Sequence, residues 1–418
     1  MSAPRLFSIP AGAPFLATFV DALLAGEILP GLGADPLSLA DLTVFTPTRR
    51  AGRALAAAFA ARAQGRATLL PRIRPLGAPD EEEAIFGAHT GEGAAELAAV
   101  DLPPPVGDIE RRLLLTDVVL AWTRALEGAI LGMHPDGSFA LDPREALVVG
   151  ATPADAVGLA GELARLIDEF LIEETPWDGF SRLVADDHSY YWGVTAAFLG
   201  LAMKNWPAIL AERGLMEPVA RRVALIAREI ERLRTTARHE PMIVLGSTGT
   251  NKTTARLMRA ICRLERGAVV LPGLDQTSDA AAWAMIEGED APLHTHPQAM
   301  LARLLKRLNA TRESVRPLGC RAPALETRMD YVTAALAPGE ATPQWRAWRE
   351  RHADARLMDD VCVIEAADER EEALAIALCL RAALETPGRT AALVAPDRAI
   401  ARRVRAELRR WAVEVDDS

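Results

Sequence analysis

The sequence predicts an α/β protein, in which a parallel sheet covered by helices is interrupted by a long all-helical insertion. Short apolar runs alternate with helical patterns from the start of the chain, where residues 6–9 precede a Gly/Pro turn and a helix. Residues 242–245 and 268–271 are apolar runs on either side of another helical pattern, which is typical of a parallel β-α-β unit. Residues 109–238 show helical periodicity and no strand pattern.

The first two strand predictions share one local order of strand, turn and helix. After the turn at residues 10–14, apolar side chains recur at helical spacing from Phe15 onward. The apolar run at residues 42–45 precedes an alanine-rich helix, and we expect Thr46 or Thr48 to cap the free amides at its start. Both units therefore predict a strand that feeds a covering helix.

The chain is predicted to divide into four segments. They are the first part of an α/β domain, a helical insertion, the return to the α/β domain and the beginning of a second α/β domain, at residues 1–108, 109–238, 239–355 and 360–418. Apolar runs at residues 362–364 and 391–394 predict the strands of that second domain, with a helix after each. Residues 76–108 are rich in Gly, Pro, Glu and Asp, which predicts a loop.

Charge and composition exclude several classes of protein. The chain has 418 residues and a net charge of −10, so an overall basic surface that coats nucleic acid or an anionic membrane is excluded, although a local basic groove is not. No apolar run is long enough to span a membrane, and the N-terminus lacks the charged and apolar regions of a secretory signal. We therefore expect a cytoplasmic protein with no membrane partner.

Cysteine and histidine spacing predicts no metal site. The four cysteines form no C-x-x-C pair, and we expect reduced thiols in the protein core rather than a disulfide framework or a zinc ribbon. His294 and His296 form a close pair, but no third ligand has a clear spacing from them. No nucleophile motif occurs either, so no catalytic residue is assigned.

The most specific motif is a glycine-rich turn after an apolar run. Its candidate nucleotide-binding residues are Gly246, Gly249, Lys252 and Thr253. A phosphate-binding loop has the pattern G-x-x-x-x-G-K-[ST], in which backbone amides and the lysine bind phosphates and the hydroxyl binds magnesium. Asn251 stands where the pattern requires its second glycine, so we expect a structural turn with a surface lysine rather than an active site.

Two enzyme alternatives remain open. One is a free-standing P-loop NTPase that uses Lys252, and the other is a nucleotide-binding enzyme with two Rossmann-like halves. The first requires a magnesium carboxylate, for which Asp275 and Glu365 are candidates, but neither has an adjacent acidic partner to act as a base. The turn at residues 10–14, where many P-loop proteins bind ATP, has neither lysine nor a hydroxyl side chain.

Arginines at helix starts are the candidate DNA-binding groups. The residues concerned are Thr48, Arg49, Arg50, Arg53, Arg398 and Arg402. Arginines that cluster in the first turns of helices at the open edge of a parallel sheet are suited to bind DNA phosphates. A solvated helix face explains the same pattern, because arginine is abundant throughout this chain.

An ordered series of stretches matches one protein family. It begins with Ser-Ile-Pro-Ala-Gly-Ala-Pro-Phe at residues 8–15. The others are residues 47–50, 70–77, 111–115, 206–210, 246–250, 270–275, 296–298, 395–398, 409–411 and 416–418. With these stretches the chain resembles, over essentially its whole length, the N-terminal portion of AddB, the second subunit of AddAB helicase–nucleases, in its alphaproteobacterial form.

The resemblance implies a RecA-like, superfamily-1 helicase-like fold in a longer chain, of which we expect this sequence to be a fragment that ends just inside a second domain. It implies DNA double-strand break repair and recombination, in which this region binds and channels DNA without motor activity. The expected partners are an AddA-type subunit and single- and double-stranded DNA ends. ATP and Mg²⁺ are expected in the complex, with no cofactor and no ATPase or nuclease residues in this chain. Thr48, Arg49 and Arg50 would contact the DNA backbone.

Overall fold

The structure is a computed structural model of the chain. It describes residues 4–32, 37–63, 65, 69–76, 102–130, 152–175, 190–235, 239–288, 293–353, 357 and 359–416. The chain divides into two compact units, Met1–Arg349 and Glu350–Ser418, and each is described by itself. Most of the loop predicted at residues 76–108 lies outside the described residues.

Strands and helices alternate through most of the first unit. The strands are β1 (Leu6–Ile9), β2 (Thr43–Thr46), β3 (Arg72–Pro75), β4 (Met242–Leu245), β5 (Gly267–Pro272) and β6 (Arg316–Pro317). The helices before β4 are α1 (Phe15–Leu24), α2 (Ser38–Asp41), α3 (Arg49–Arg62), α4 (Asp108–Ile130), α5 (Pro153–Ile172), α6 (Tyr190–Glu212) and α7 (Pro218–Thr235). Those after β4 are α8 (Lys252–Ile261), α9 (Ala280–Glu287), α10 (Ala299–Leu308), α11 (Pro323–Ala335), α12 (Gln344–Arg351), α13 (Glu369–Leu384) and α14 (Arg398–Arg409).

The six strands form one parallel sheet in the order β3-β2-β4-β5-β1-β6. In the centre of the sheet, Val44 pairs with Ile243 and Val244 pairs with Val269, each in parallel register. Every residue of β1, β2 and β4 is buried, as expected for strands whose two faces are both covered. The prediction of an α/β protein with a parallel sheet is confirmed.

Two apolar cores lie on opposite faces of this sheet, because successive side chains of a strand point to opposite sides. On β4, Met242 and Val244 belong to one core, whereas Ile243 and Leu245 belong to the other. Helices α1, α2 and α3 cover the face of Ile243, and α7 to α10 cover the face of Met242. The sheet thus separates the first helices of the chain from the later ones.

A third core lies within the helical region between β3 and β4. Leu115 of α4, Leu163 and Ile167 of α5, and Trp206 of α6 are buried together there. Helix α5 begins with a capping box, in which Thr152 accepts a hydrogen bond from the backbone of Asp155 and the Asp155 side chain accepts one in return. The described residues between β3 and β4 contain α-helices and no strand. Among all described residues, no helix combines the length and apolar character that crossing a membrane requires.

The second unit contains helices α13 and α14, which pack through Ala373, Ala377, Val404 and Leu408. The strands predicted at residues 362–364 and 391–394 are wrong, because neither segment is hydrogen-bonded into a sheet among the described residues. Val363 and Val394 are 83% and 93% exposed, so these apolar runs lack the partner strands and covering layers that a buried strand requires.

The prediction of core cysteines holds for one residue only. Cys262 is buried, and burial raises the pKa of its thiol to about 11, so the reactive thiolate is scarce at neutral pH. The other three cysteines are exposed and unpaired: Cys320, Cys362 and Cys379. Cysteine, although it is often buried, is small enough to be tolerated at surface positions, so its residue type alone does not place it.

Candidate functional site

The carboxyl edge of the sheet is the candidate functional site. The connection from β1 to β2 passes over the face of α1, whereas the connection from β5 to β6 passes over the opposite face. Ligands of open parallel sheets bind outside the carboxyl ends of strands at such a switch point. The loops that follow β1, β2, β4 and β5 form this edge.

The loop after β1 forms a closed turn without phosphate-binding side chains. The amide of Ala13 donates to the Pro10 carbonyl at 3.1 Å, and Gly12 has a φ of +88° that favours glycine. Two residues before α11, Arg321 donates through Nε to the Ala11 carbonyl at 2.8 Å. Leu325 occupies the space beside Gly12, where its Cδ1 would lie 3.4 Å from an added Cβ. The loop is therefore covered by α11.

The loop after β5 is held by its own polar side chains. Asp275 Oδ1 accepts from the backbone amides of Thr277 and Ser278 at 2.8 and 3.0 Å. Its Oδ2 accepts from the Thr333 hydroxyl at 3.0 Å, which ties the loop to α11. Gln298 accepts from the Asp275 amide and donates to the Gly273 carbonyl. The Asp275 carboxylate thus stabilises a turn, and its oxygens are occupied by donors rather than directed to a cation.

The glycines of the loop after β4 serve close packing. Gly246 and Gly249 have φ values of +73° and +57°. A Cβ on Gly249 would lie 2.5 Å from Leu304 Cδ1 and 3.1 Å from Met258 Sδ. A Cβ on Gly246 would lie 3.3 Å from the ring of Phe15. The space beside Gly249, which a curled phosphate-binding loop would leave for its ligand, is filled by α10.

The residues that follow these glycines are engaged in helix capping and in contacts to α5. Asn251 is the N-cap of α8, and its Oδ1 accepts from the Thr254 amide at 2.7 Å. The buried Thr253 hydroxyl lies 3.2 Å from Glu174 Oε1 and 3.4 Å from the Ile172 carbonyl. Lys252 is exposed. The Thr253 hydroxyl and the neighbouring Thr254 amide are therefore both hydrogen-bonded within the protein.

Ion pairs join the residues that follow α5 to α8 and α10, the helices beside the same loop. Arg256 contacts both oxygens of Glu174 at 2.8 and 2.7 Å, and Arg307 binds Glu173 at 3.1 Å. Arg307 also donates to the Thr250 carbonyl at 3.3 Å. Glu174 adopts a φ of +47°, an uncommon conformation for a side chain other than glycine. The end of α5 is thus linked to the helices that flank the loop before Lys252.

The arginines of α3 lie at the same edge, where β2 ends. Thr48 caps α3, since its hydroxyl accepts from the Ala51 amide at 3.1 Å, which confirms the expected cap. Arg49, Arg50 and Arg53 are exposed on the first turns of this helix. The three arginines thus lie within the first two turns of one helix. Arginines in such a position can bind phosphates.

The other two candidate arginines belong to the second unit. Arg398 and Arg402 are exposed on α14, one turn apart, and Asp397 caps this helix by accepting from the Ala399 amide. Glu365, the second magnesium candidate, also lies in this unit. The two arginine groups are therefore separate candidates rather than parts of one described site.

Two features of this edge were missed by the sequence analysis. Arg321, which covers the β1 loop, and Glu174, which holds Thr253 and Arg256, carried no motif. Arg321 stands just before Pro323, which starts α11, but this position in the sequence does not indicate that Arg321 binds the Ala11 carbonyl. Within the described residues, no group of three or more His, Cys, Asp or Glu side chains has the geometry of a metal site.

Comparison of the chain with models of protein families gives no match, and comparison with curated proteins gives none either.

Proposed function

We propose that this chain acts in cytoplasmic DNA double-strand break repair as the non-motor, helicase-like part of an AddB-type subunit. It binds and channels DNA ends, while an AddA-type partner supplies the ATP- and Mg²⁺-dependent movement. One observation carries the proposal. At the edge of the sheet where a RecA-like motor would bind nucleotide, the loop after β1 has no phosphate-binding side chain and the Thr253 hydroxyl after β4 is hydrogen-bonded within the protein, while three arginines on the first turns of α3 are exposed.

The strand order supports a RecA-like domain that lacks an ATP site. β1 lies inside the sheet between β5 and β6, so the loop after it occupies the switch point at which a nucleotide would bind. That loop has no lysine and no hydroxyl, and Arg321 covers it. The domain therefore keeps the sheet architecture of a nucleotide-binding protein without its chemistry.

The arginines of α3 supply the groups that bind DNA phosphates in this proposal. Guanidinium groups form paired hydrogen bonds with phosphate oxygens, and each neutralised phosphate releases counterions. Because Thr48 satisfies an amide at the start of α3, the helix end is fixed without help from a ligand. Arg49, Arg50 and Arg53 then contact successive phosphates of a strand, which gives binding without sequence preference.

The test is the salt dependence of single-stranded DNA binding by the full chain, measured by fluorescence anisotropy. A triple variant, Arg49→Ala/Arg50→Ala/Arg53→Ala, should bind more weakly, and the slope of log K against log salt should fall by about 2, since each single-strand phosphate contributes about 0.7.

A charge-matched control replaces three exposed arginines of the helical region, none of which lies in a loop or helix start of this edge, Arg165→Ala/Arg213→Ala/Arg234→Ala. This control should keep most of the salt slope. Equal losses in the two triple variants would show that only net charge matters. Wild-type binding that does not depend on salt would exclude the arginine site.

A further inference from the structure

Two carboxylates that follow α5 hold cations beside the loop after β4. Glu174 contacts Arg256 Nη1 with its two oxygens at 2.8 and 2.7 Å, and its Oε1 also accepts from the Thr253 hydroxyl at 3.2 Å. Glu173 Oε2 accepts from Arg307 at 3.1 Å. Because guanidinium groups bind carboxylates and phosphates with the same donor geometry, a phosphate group can take the place of either carboxylate.

These cations lie on the sheet edge that carries the arginines of α3. Since β2 and β4 are neighbouring parallel strands, α3 and α8, which follow them, begin at the same edge. Lys252, the first residue of α8, is exposed, and Arg256 lies one turn later. Arg307 reaches the same loop, where it donates to the Thr250 carbonyl at 3.3 Å. A DNA strand that leaves α3 along this edge therefore reaches a second group of cations.

The contacts of Glu174 are formed against backbone strain and close to solvent. Its φ of +47° lies in the left-handed region, which is unfavourable for a residue other than glycine. The side chains of Glu174 and Arg256 are 30% and 49% exposed, and ion pairs with this much exposure contribute little to stability. Another anion can therefore replace the carboxylate of Glu174 without a large loss of stability.

We infer, on the basis of the proposed function, that Glu173 and Glu174 form an autoinhibitory contact for DNA at this edge. The two carboxylates hold Arg307 and Arg256 in the free protein, and phosphates of a DNA strand replace them. A strand that is already bound at α3 presents its next phosphates at a high effective concentration, which a free nucleotide lacks. Displacement adds two arginines to the exposed Lys252, so the DNA-binding surface extends from α3 to α8.

Removal of the two carboxylates tests this contact. In Glu173→Gln/Glu174→Gly the competing charges are absent, and glycine adopts the positive φ of position 174 without strain, so the variant should fold. Its affinity for a single-stranded DNA oligonucleotide, measured by fluorescence anisotropy with the full chain at low salt, should rise about tenfold. The slope of log K against log salt should steepen by about 1.4, since two more phosphates are bound at about 0.7 each.

A charge-matched control separates the contact from a change in net charge. Glu162→Gln/Glu231→Gln removes two exposed carboxylates that pair with Arg165 and Arg234 in the helical region. This control releases two arginines as well, but away from the sheet edge, so the affinity and the salt slope should change far less. Equal gains in the two double variants would overturn the inference, as would the absence of a gain in Glu173→Gln/Glu174→Gly.

A second arm asks whether the released arginines bind the DNA. Addition of Arg256→Ala and Arg307→Ala to Glu173→Gln/Glu174→Gly should abolish the gain, and a gain that persists would overturn the inference.

The triple alanine variant of α3 distinguishes this contact from the proposed α3 site. Weaker binding in that variant, together with no gain in Glu173→Gln/Glu174→Gly, would support the α3 site and overturn the autoinhibitory contact. A gain in Glu173→Gln/Glu174→Gly without any effect of the α3 variant would support the contact and exclude the α3 site.

Discussion

Two strand-to-helix junctions at one edge of the sheet both contain glycine with positive φ and are closed in different ways. Residues 10–14 join β1 to α1, and residues 246–251 join β4 to α8. The first is covered from outside by Arg321, which donates to the Ala11 carbonyl. The second is filled from inside by Leu304, and its helix start is held by Glu174 of the helical region.

The difference shows that a loop can require a glycine with positive φ for either of two physical reasons. A glycine with positive φ allows a loop to curl around a phosphate, but it equally allows another helix to approach the backbone closely. At Gly249 the second cause applies, because the space of the missing Cβ is taken by Leu304. A lysine and a hydroxyl next to such a glycine then do not indicate a nucleotide-binding site, unless the hydroxyl can bind a ligand.

The largest effect is expected where the packing around the second junction is tightest. Gly249→Ala forces a Cβ to within 2.5 Å of Leu304 Cδ1 at a φ of +57°, so both overpacking and backbone strain oppose it. We expect the free energy of unfolding of the sheet unit to fall by about 3 kcal/mol, measured by urea denaturation followed by circular dichroism.

A double variant separates packing from strain. Leu304→Ala alone leaves a cavity, but in combination with Gly249→Ala the two changes should compensate, with a coupling of about 1 kcal/mol or more. Strictly additive losses would mean that Leu304 does not fill the space at Gly249, and the contrast between the junctions would then be lost.

A smaller effect is expected at the first junction, because the nearest atom to a Cβ on Gly12 is 3.4 Å away, compared with 2.5 Å at Gly249, and the junction is held by one side-chain hydrogen bond. Arg321→Ala removes the hydrogen bond to the Ala11 carbonyl and the contact to Glu326. We expect a loss of about 1.5 kcal/mol in the free energy of unfolding, the usual size for a hydrogen bond to a charged group. Urea denaturation of the full chain measures it.

The control for Arg321 is Glu326→Ala, which removes only a half-exposed ion pair and should cost less than about 0.5 kcal/mol. Equal losses in Arg321→Ala and Glu326→Ala would mean that the ion pair, and not the hydrogen bond to the Ala11 carbonyl, accounts for the stabilisation by Arg321.

The central part of the fold was predictable from sequence, because buried parallel strands are continuous apolar runs. This identified β1, β2, β4 and β5. It missed the edge strands β3 and β6, since they carry the charged and at least partly exposed side chains of Arg72, Arg74 and Arg316, as loops do. The same rule produced false strands at residues 362–364 and 391–394, because an apolar run does not reveal whether a partner strand exists.

The candidate site was predictable only in part. Helix capping by Thr48 depends on residues three positions apart, so a local pattern contains the information. By contrast, the role of Gly249 depends on Leu304, and the role of Thr253 depends on Glu174. These partners are distant in sequence, and their contacts exist only once α5 and α10 have packed against the sheet.

The smallest change tests whether sequence or packing excludes nucleotide from the second junction. Asn251→Gly completes the pattern G-x-x-x-x-G-K-[ST] and frees the Thr254 amide, which Asn251 now holds at 2.7 Å. We expect a stability loss of only a few tenths of a kcal/mol, as is usual when glycine replaces an N-cap. Titration calorimetry should detect no saturable binding of Mg-ATP, because the Thr253 hydroxyl stays on Glu174 and Leu304 still fills the loop. ATP binding by Asn251→Gly that is abolished by adding Lys252→Ala would instead support a P-loop NTPase and remove the contrast between the two junctions.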